Sequence, residues 1–368
     1  MKSLSAAAAA LVLAASFASG AAEKILIGQS APLTGSNAEI GKDIRAGALA
    51  YFKKVNEAGG VNGRQIELLT LDDKNVRKTA AANAVKLVNE DNVMALFGFA
   101  STTLSLDAMP IVKEKHVPFF APFTGADAIH KQNPYVFVMR ASYEDELLKI
   151  LDHWRNLGVT RVTVIHYDDE IGNANFRTVE RIMKAAGKPT VSVKLERNGK
   201  VDPAQIQEII KSDPEVIIAT TLYGATSKVL SMLRAAKHPY NMTSLSFVGP
   251  SQLAQAAGPD AYGVSVSGVV PPPAKTTLPV VKECADAMKK AGGELNYTTL
   301  ESCIAAKVLV EAIRRAGKEV TRESLYRGFQ ALGHYDAGGY SVTFGPDIRS
   351  GSHYVELAVI SRNGQFRF

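Results

Sequence analysis

Three consecutive hydroxyls, Ser101, Thr102 and Thr103, are the residues whose types and spacing point most directly to chemistry in this 368-residue chain. They follow the apolar run Val93–Gly98 and precede a helical stretch read at Ser105–Lys115, so a strand end meets a helix start there. Hydroxyls and the unpaired N–H groups of a first helical turn can hold a carboxylate without a buried cation. The same residues also serve as helix caps, and both roles fit. Phe123, Thr124 and Gly125 follow the run Val117–Phe120 in the same way, and Phe123 fits either a cleft wall or a core position. Asp72-Asp73 and Asp168-Asp169-Glu170 carry groups capable of acid–base or metal chemistry. Each follows a strand and reads as a solvated turn. The seven histidines show no zinc-like spacing. No G-x-G-x-x-G follows the first strand and no G-x-x-x-x-G-K-[ST] occurs. No catalytic residue, metal or cofactor is assigned.

The elements that position these residues begin after a leader. Lys2, the apolar stretch Leu4–Phe17 and the small residues from Ala18 to Ala22 have the order of a secretory signal peptide, residues 1–22. The apolar stretch is short for a bilayer span, and no Cys near the cleavage point offers a lipid anchor. The expected product is exported, soluble and unanchored. About 345 residues then remain, more than one core usually serves, which predicts two domains. Lys and Arg number 42 against 36 acids, scattered along the chain without a basic, aromatic-interleaved block. Nucleic acid is therefore excluded as a partner, and the excess suits solubility or attraction of an anionic solute. Cys284 and Cys303 are the only cysteines. Export permits a disulfide between two helices, and two buried free thiols fit equally.

Apolar runs alternate with amphipathic stretches, which predicts an α/β fold of parallel sheets built from βαβ units. Strands are read at Ile25–Gln29, Ile66–Leu71, Val93–Gly98, Val117–Phe120 and Val136–Met139. A second set follows at Val162–His166, Val191–Leu195, Val216–Thr220 and Leu245–Val248. Two doubly wound lobes result, with chain crossings near Arg140–Ser142 and at Pro271-Pro272-Pro273, where three prolines make a stiff connector. The expected division is 23–141 plus 271–347 for lobe one and 142–270 plus 348–368 for lobe two. Asn363-Gly364 marks a terminal hairpin.

Several segments, in order, resemble the periplasmic leucine/isoleucine/valine-binding protein family. They are Gly28–Gly35, Gly41–Asp43, Val55–Arg64, Leu71–Asp73, Phe97–Thr102, Val117–Pro122 and Tyr167–Gly172. The resemblance implies a type I periplasmic-binding fold, two lobes joined by three crossover strands. It implies a monomeric receptor of the periplasm that binds a small-molecule solute in the cleft and delivers it to an ABC transporter permease in the inner membrane. It places Thr124 against the ligand carboxylate and Ile171 where relatives carry an aromatic residue. Tyr223 would supply an aromatic face. Ser251 or Gln252 falls where relatives place the acid that pairs with an α-ammonium, and here no acid is present. The solute expected is a small carboxylate, either an amino acid held differently or a related organic, keto or aromatic acid, and an amide is also compatible. A ligand-sensing module for a membrane signalling partner is the alternative, followed by an enzyme on the same scaffold.

Overall fold

The computed structural model describes residues 24–35, 37–130, 133–197 and 199–368, so the leader read at 1–22 lies outside the described residues. The first apolar runs form β1 (Ile25–Ala31), β2 (Ile66–Asp72), β3 (Ala95–Phe97), β4 (Phe119–Phe120) and β5 (Val136–Phe137). These make a wholly parallel sheet in the order β2-β1-β3-β4-β5. The next are β6 (Val162–Tyr167), β7 (Thr190–Leu195), β8 (Val216–Thr220), β9 (Asn241–Ser244) and β10 (Ser265–Gly268). After a separate hairpin of β11 (Gly333–Asp336) and β12 (Ser341–Phe344), the chain ends in β13 (Glu356–Ile360) and β14 (Phe366–Arg367). The second sheet runs β14-β13-β10-β9-β8-β6-β7, parallel except where β13 and β14 join antiparallel.

Both sheets bury apolar residues on both faces, which is why most of their parallel strands read as hydrophobic runs. Phe97, Phe120 and Phe137 enter one core with Leu300, Ile304 and Leu309 of the helix Tyr297–Ala316. Their neighbours Leu96, Phe119 and Val136 enter the opposite core with Leu87 and Val112. In the second sheet Ile165 and Ile217 face one core, Val164 and Ile218 the other. Two of the sequence expectations fail. Leu245–Val248 is no strand, because Ser246–Val248 forms a 3-10 turn and the strand precedes it at β9. The helix expected at Ser105–Lys115 is two short ones, Thr102–Asp107 and Met109–Glu114. β9 and β10 escape a search for apolar runs because they are rich in Ser and Thr. Their buried hydroxyls are paired: Thr243 Oγ1 lies 2.5 Å from Ser265 Oγ, and Ser244 Oγ donates to the Ala219 carbonyl.

The helices after β10 return to the first sheet. Tyr297–Ala316 packs so closely on Ala38–Glu57 that a Cβ at Gly47 would stand 2.2 Å from the Thr299 carbonyl oxygen. Cys284 and Cys303 are disulfide-bonded, tying the helix Pro279–Lys290 to Tyr297–Ala316.

The chain thus passes between the sheets three times, after β5, after β10 and after β12. The crossings are bound to one another. Val138 accepts from the Gly351 N–H and donates to the Arg349 carbonyl. The buried Tyr340 hydroxyl lies 3.2 Å from the Val269 carbonyl and 3.5 Å from that of Met139. Arg140, in the first crossing and 1% exposed, sets its Nε 3.2 Å from Glu301 Oε1 and donates through Nη2 to Ser246 Oγ at 2.6 Å. Ser246 in turn donates through its N–H and hydroxyl to the buried Glu146. Burial pushes Glu301 up to about 7, against the pull of Arg140 and with a further push from Glu146.

Two predictions follow from these links. The bonded cysteines are 19 residues apart, and a loop of that size is worth about 3 kcal/mol of unfolding free energy. Urea titration of the Cys284→Ala/Cys303→Ala protein should show that loss, and equal midpoints would contradict it. Glu301 binds its proton more tightly folded than unfolded, so its contribution is complete below the ordinary value of 4.5 and is lost as pH rises to about 7. Wild type should therefore lose roughly 3 kcal/mol relative to Glu301→Gln between those limits. Parallel stability profiles from pH 4 to 8 would refute this.

Candidate functional site

The strand order reverses beside β1 in the first sheet and beside β6 in the second. Loops leaving adjacent strands in opposite directions open a crevice at the strands' carboxyl ends. The two crevices face each other across a cavity holding about 690 Å³ of space free of protein atoms, part of it open to solvent. Lobe one contributes Asn37 and Ile40 after β1, Ala100 to Thr103 after β3, and Phe123 after β4. Lobe two contributes Tyr167, Ile171, Gly172 and Asn175 around the end of β6, Arg197 after β7, Thr220 and Leu222 at β8, and Phe247 after β9. Tyr143, the first residue of the helix beyond the first crossing, completes the wall.

At the lobe-one end, hydroxyls form a chain. Thr102 Oγ1 lies 2.6 Å from Thr124 Oγ1, which lies 3.2 Å from the Tyr143 hydroxyl and accepts the Ala126 N–H. Thr124 has one proton to give and one lone pair left. It therefore donates to one of its hydroxyl neighbours and accepts from the other. The neighbour receiving its proton keeps its own for a ligand. Burial holds the Tyr143 phenol above its ordinary value, so it remains a donor. Ser101 is engaged locally, its Oγ accepting the Leu104 N–H as a helix cap.

At the lobe-two end, the Tyr167 hydroxyl accepts the Leu222 N–H at 3.1 Å and keeps its proton, with burial holding its phenol above the ordinary value. Arg197 lies over the Tyr167 ring at 4.4 Å while paired with Asp169. Asp169 also caps the helix Glu170–Ala185, accepting the Gly172 N–H. That helix starts so tightly against β6 that a Cβ at Gly172 would meet the Tyr167 carbonyl oxygen at 2.0 Å. Asn175 is buried and its Nδ2 has no partner among the described residues. The rings of Tyr143 and Phe247 stand 5.0 Å apart. Phe123 and Tyr167 add two more aromatic walls, and among the described residues no Asp or Glu lines the cavity.

Of the residues singled out by sequence, Ser101, Thr102, Thr103, Phe123 and Ile171 line this cavity. Thr124 stands one layer behind, fully buried, and orients Thr102 and Tyr143. Gly125 packs against the first crossing: its carbonyl accepts the Tyr143 N–H, and a Cβ there would meet the Ala141 carbonyl oxygen at 2.7 Å. Tyr223 opens the helix Tyr223–Ala235 and packs on the lobe-two core, leaving the cavity position to Leu222. Ser251 is half-buried outside the lining, and Gln252 donates to Asp43 instead.

Asp72 and Asp73 depart from a solvated turn. Asp73 is fully buried, which raises its carboxyl above the ordinary range, and it accepts from Ser30 and the Asn75 N–H. Against a desolvation cost, hydrogen bonds from Thr34, Leu33 and Lys74 bring Asp72 down to about 2. Both carboxylates shape the loop after β1. Tyr143, Tyr167, Asn175, Arg197 and Phe247 were missed, although Tyr167 ends a strand inside one of the family-like segments.

A family model described as "Periplasmic binding protein" matches residues 24–365. The leucine-, isoleucine-, valine-, threonine-, and alanine-binding protein of Pseudomonas aeruginosa is 27% identical over 306 residues, covering 81% of this chain and 80% of that relative. A substrate-binding periplasmic protein from Ralstonia solanacearum superposes with a TM-score of 0.88 at 33% identity, covering 93% of this chain and 99% of its own. A possible leucine/isoleucine/valine-binding protein from Rhodopirellula baltica gives 0.90 at 27% identity, covering 95% and 97%. The two-lobed, mostly parallel architecture is the type I fold that the sequence implied. Matched by the family model along almost all of its described length, this chain belongs to the periplasmic binding protein family.

Proposed function

We propose that this protein is the periplasmic solute receptor of an ABC importer, and that its solute is a small carboxylate with an apolar or aromatic body and no α-ammonium group. The observation that carries the ligand class is the composition of the cavity wall. Four aromatic rings, hydroxyls, two amides and Arg197, itself paired with Asp169, line it, with no carboxylate among the described residues. A buried ammonium left without a counter-charge costs several kcal/mol, whereas a carboxylate finds the Thr102 and Tyr143 hydroxyls and the first-turn N–H groups beyond Ser101. The amino-acid-binding relatives support the receptor reading and leave the solute class to the cavity.

The mechanism is closure of lobe one (23–141 plus 271–347) on lobe two (142–270 plus 348–368) about the three crossings. The solute meets the hydroxyl end first, and the lobe-two aromatics then cover it. Its extra affinity for the closed form sets the shift in population. The closed monomer presents both lobe surfaces to an inner-membrane permease.

A thermal-shift panel of branched-chain amino acids, their 2-oxo counterparts and aryl carboxylates tests the ligand class. The amine-free acids should raise the unfolding temperature, by mass action equivalent to about 4 kcal/mol at a thousand times Kd. A larger shift with leucine or valine than with their 2-oxo counterparts would refute the class. Thr102→Ala and Thr124→Ala should each weaken the best acid about tenfold, read by calorimetric titration. Unchanged affinity in both would remove the hydroxyl end as the carboxylate site.

A further inference from the structure

Gln252 was expected to meet the solute, yet its side chain is committed elsewhere. It lies in the helix Pro250–Ala257, whose Leu253 and Ala257 are part of the lobe-two core. Its Nε2 donates to Asp43 Oδ2 at 2.9 Å. Asp43 belongs to the helix Ala38–Glu57, which packs in the lobe-one core. The same carboxylate oxygen accepts Asn296 Nδ2 at 2.8 Å. Asn296 is itself fixed as the N-cap of Tyr297–Ala316, its Oδ1 accepting the Thr299 N–H. Lobe one therefore holds the acceptor in place, and lobe two brings the donor.

Neither Asp43 nor Gln252 lines the cavity. Gln252 is 8% exposed, and among the described residues its buried Oε1 has no partner, so the amide is held there by its nitrogen. Burial raises the Asp43 carboxyl above its ordinary value, opposed by the two amide donors, with Glu39 adding to the rise. The Oε1 sits over Gly249, where a Cβ would stand 2.8 Å from it. This glycine has a φ of 77°, so the turn into the helix leaves room for the Gln252 side chain to reach across.

We propose that Asp43 and Gln252 form a closure latch, a pair of positioning residues that holds the two lobes together whichever solute occupies the cavity. The proposal rests on the receptor reading above. A hydrogen bond made only when the lobes meet stabilises the closed form and leaves the open form unchanged, so it raises affinity for every ligand by one factor. It does so through slower release rather than through recognition.

The decisive comparison uses ligand-free protein. Small-angle scattering of wild type, Gln252→Ala, Asp43→Ala and the double variant should show an upward shift in radius of gyration in each variant, with the double no larger than the singles. With phenylacetate as probe, Kd should rise about tenfold in each single variant, carried by the dissociation rate, and the double should again match the singles. Wild-type radii in the single variants overturn the latch, as do effects that add in the double. Wild type that fails to compact with any acid overturns the receptor reading. Compaction of wild type together with wild-type radii in the variants overturns the latch alone.

Discussion

A guanidinium buried where the chain leaves the first sheet constrains much of this molecule. Arg140 keeps its charge under all ordinary conditions, and an unpaired charge in such a place costs several kcal/mol. Its partners must therefore be delivered there, and they come from far along the chain. Glu301 arrives 161 residues later on the lobe-one helix Tyr297–Ala316, and Ser246 arrives 106 residues later from lobe two. Glu146 reaches the cluster through Ser246 and also accepts the Ser267 hydroxyl from β10. Meeting the demands of one side chain thus fixes one crossing and one helix of each lobe.

The same cluster shapes the electrostatics of the cavity without entering it. Arg140 lies over the face of Phe123 at 4.7 Å, and Phe123 lines the cavity. Two carboxyls accompany this cation, and burial raises both above their ordinary values against its pull. The wall of the cavity is made of hydroxyls, amides, rings and Arg197, whose guanidinium is already paired with Asp169.

Much of the fold was legible because strands buried on both faces write themselves as apolar runs, as at Val216–Thr220, where the strand read from sequence matches its observed bounds. β9 and β10 were illegible for the converse reason: Thr243, Ser244, Ser265 and Ser267 are buried polar residues whose partners belong to other strands or, for Ser267, to Glu146 on a helix. The site divides along the same line. Ser101 to Thr103 could be found because position at a strand end is a local property. Tyr143 and Asn175 could not, since their exposure to the cavity depends on how two lobes face each other. Gln252 shows a third case: the resemblance placed it against the solute, and in the structure its amide turns to Asp43 outside the cavity lining. Asp73 shows a fourth, where a carboxylate that looked like solvent-facing turn chemistry is an internal strut.

Most lining residues stand at or within a few places of a strand's carboxyl end, and the sheets themselves reach the cavity through the last residues of β6 and β8, Tyr167 and Thr220. The scaffold and the recognition surface are therefore inherited separately. A duplicated copy of such a gene can acquire a new diet by editing one loop at a time, while the strands, crossings and cross-linked helices continue to fold unchanged.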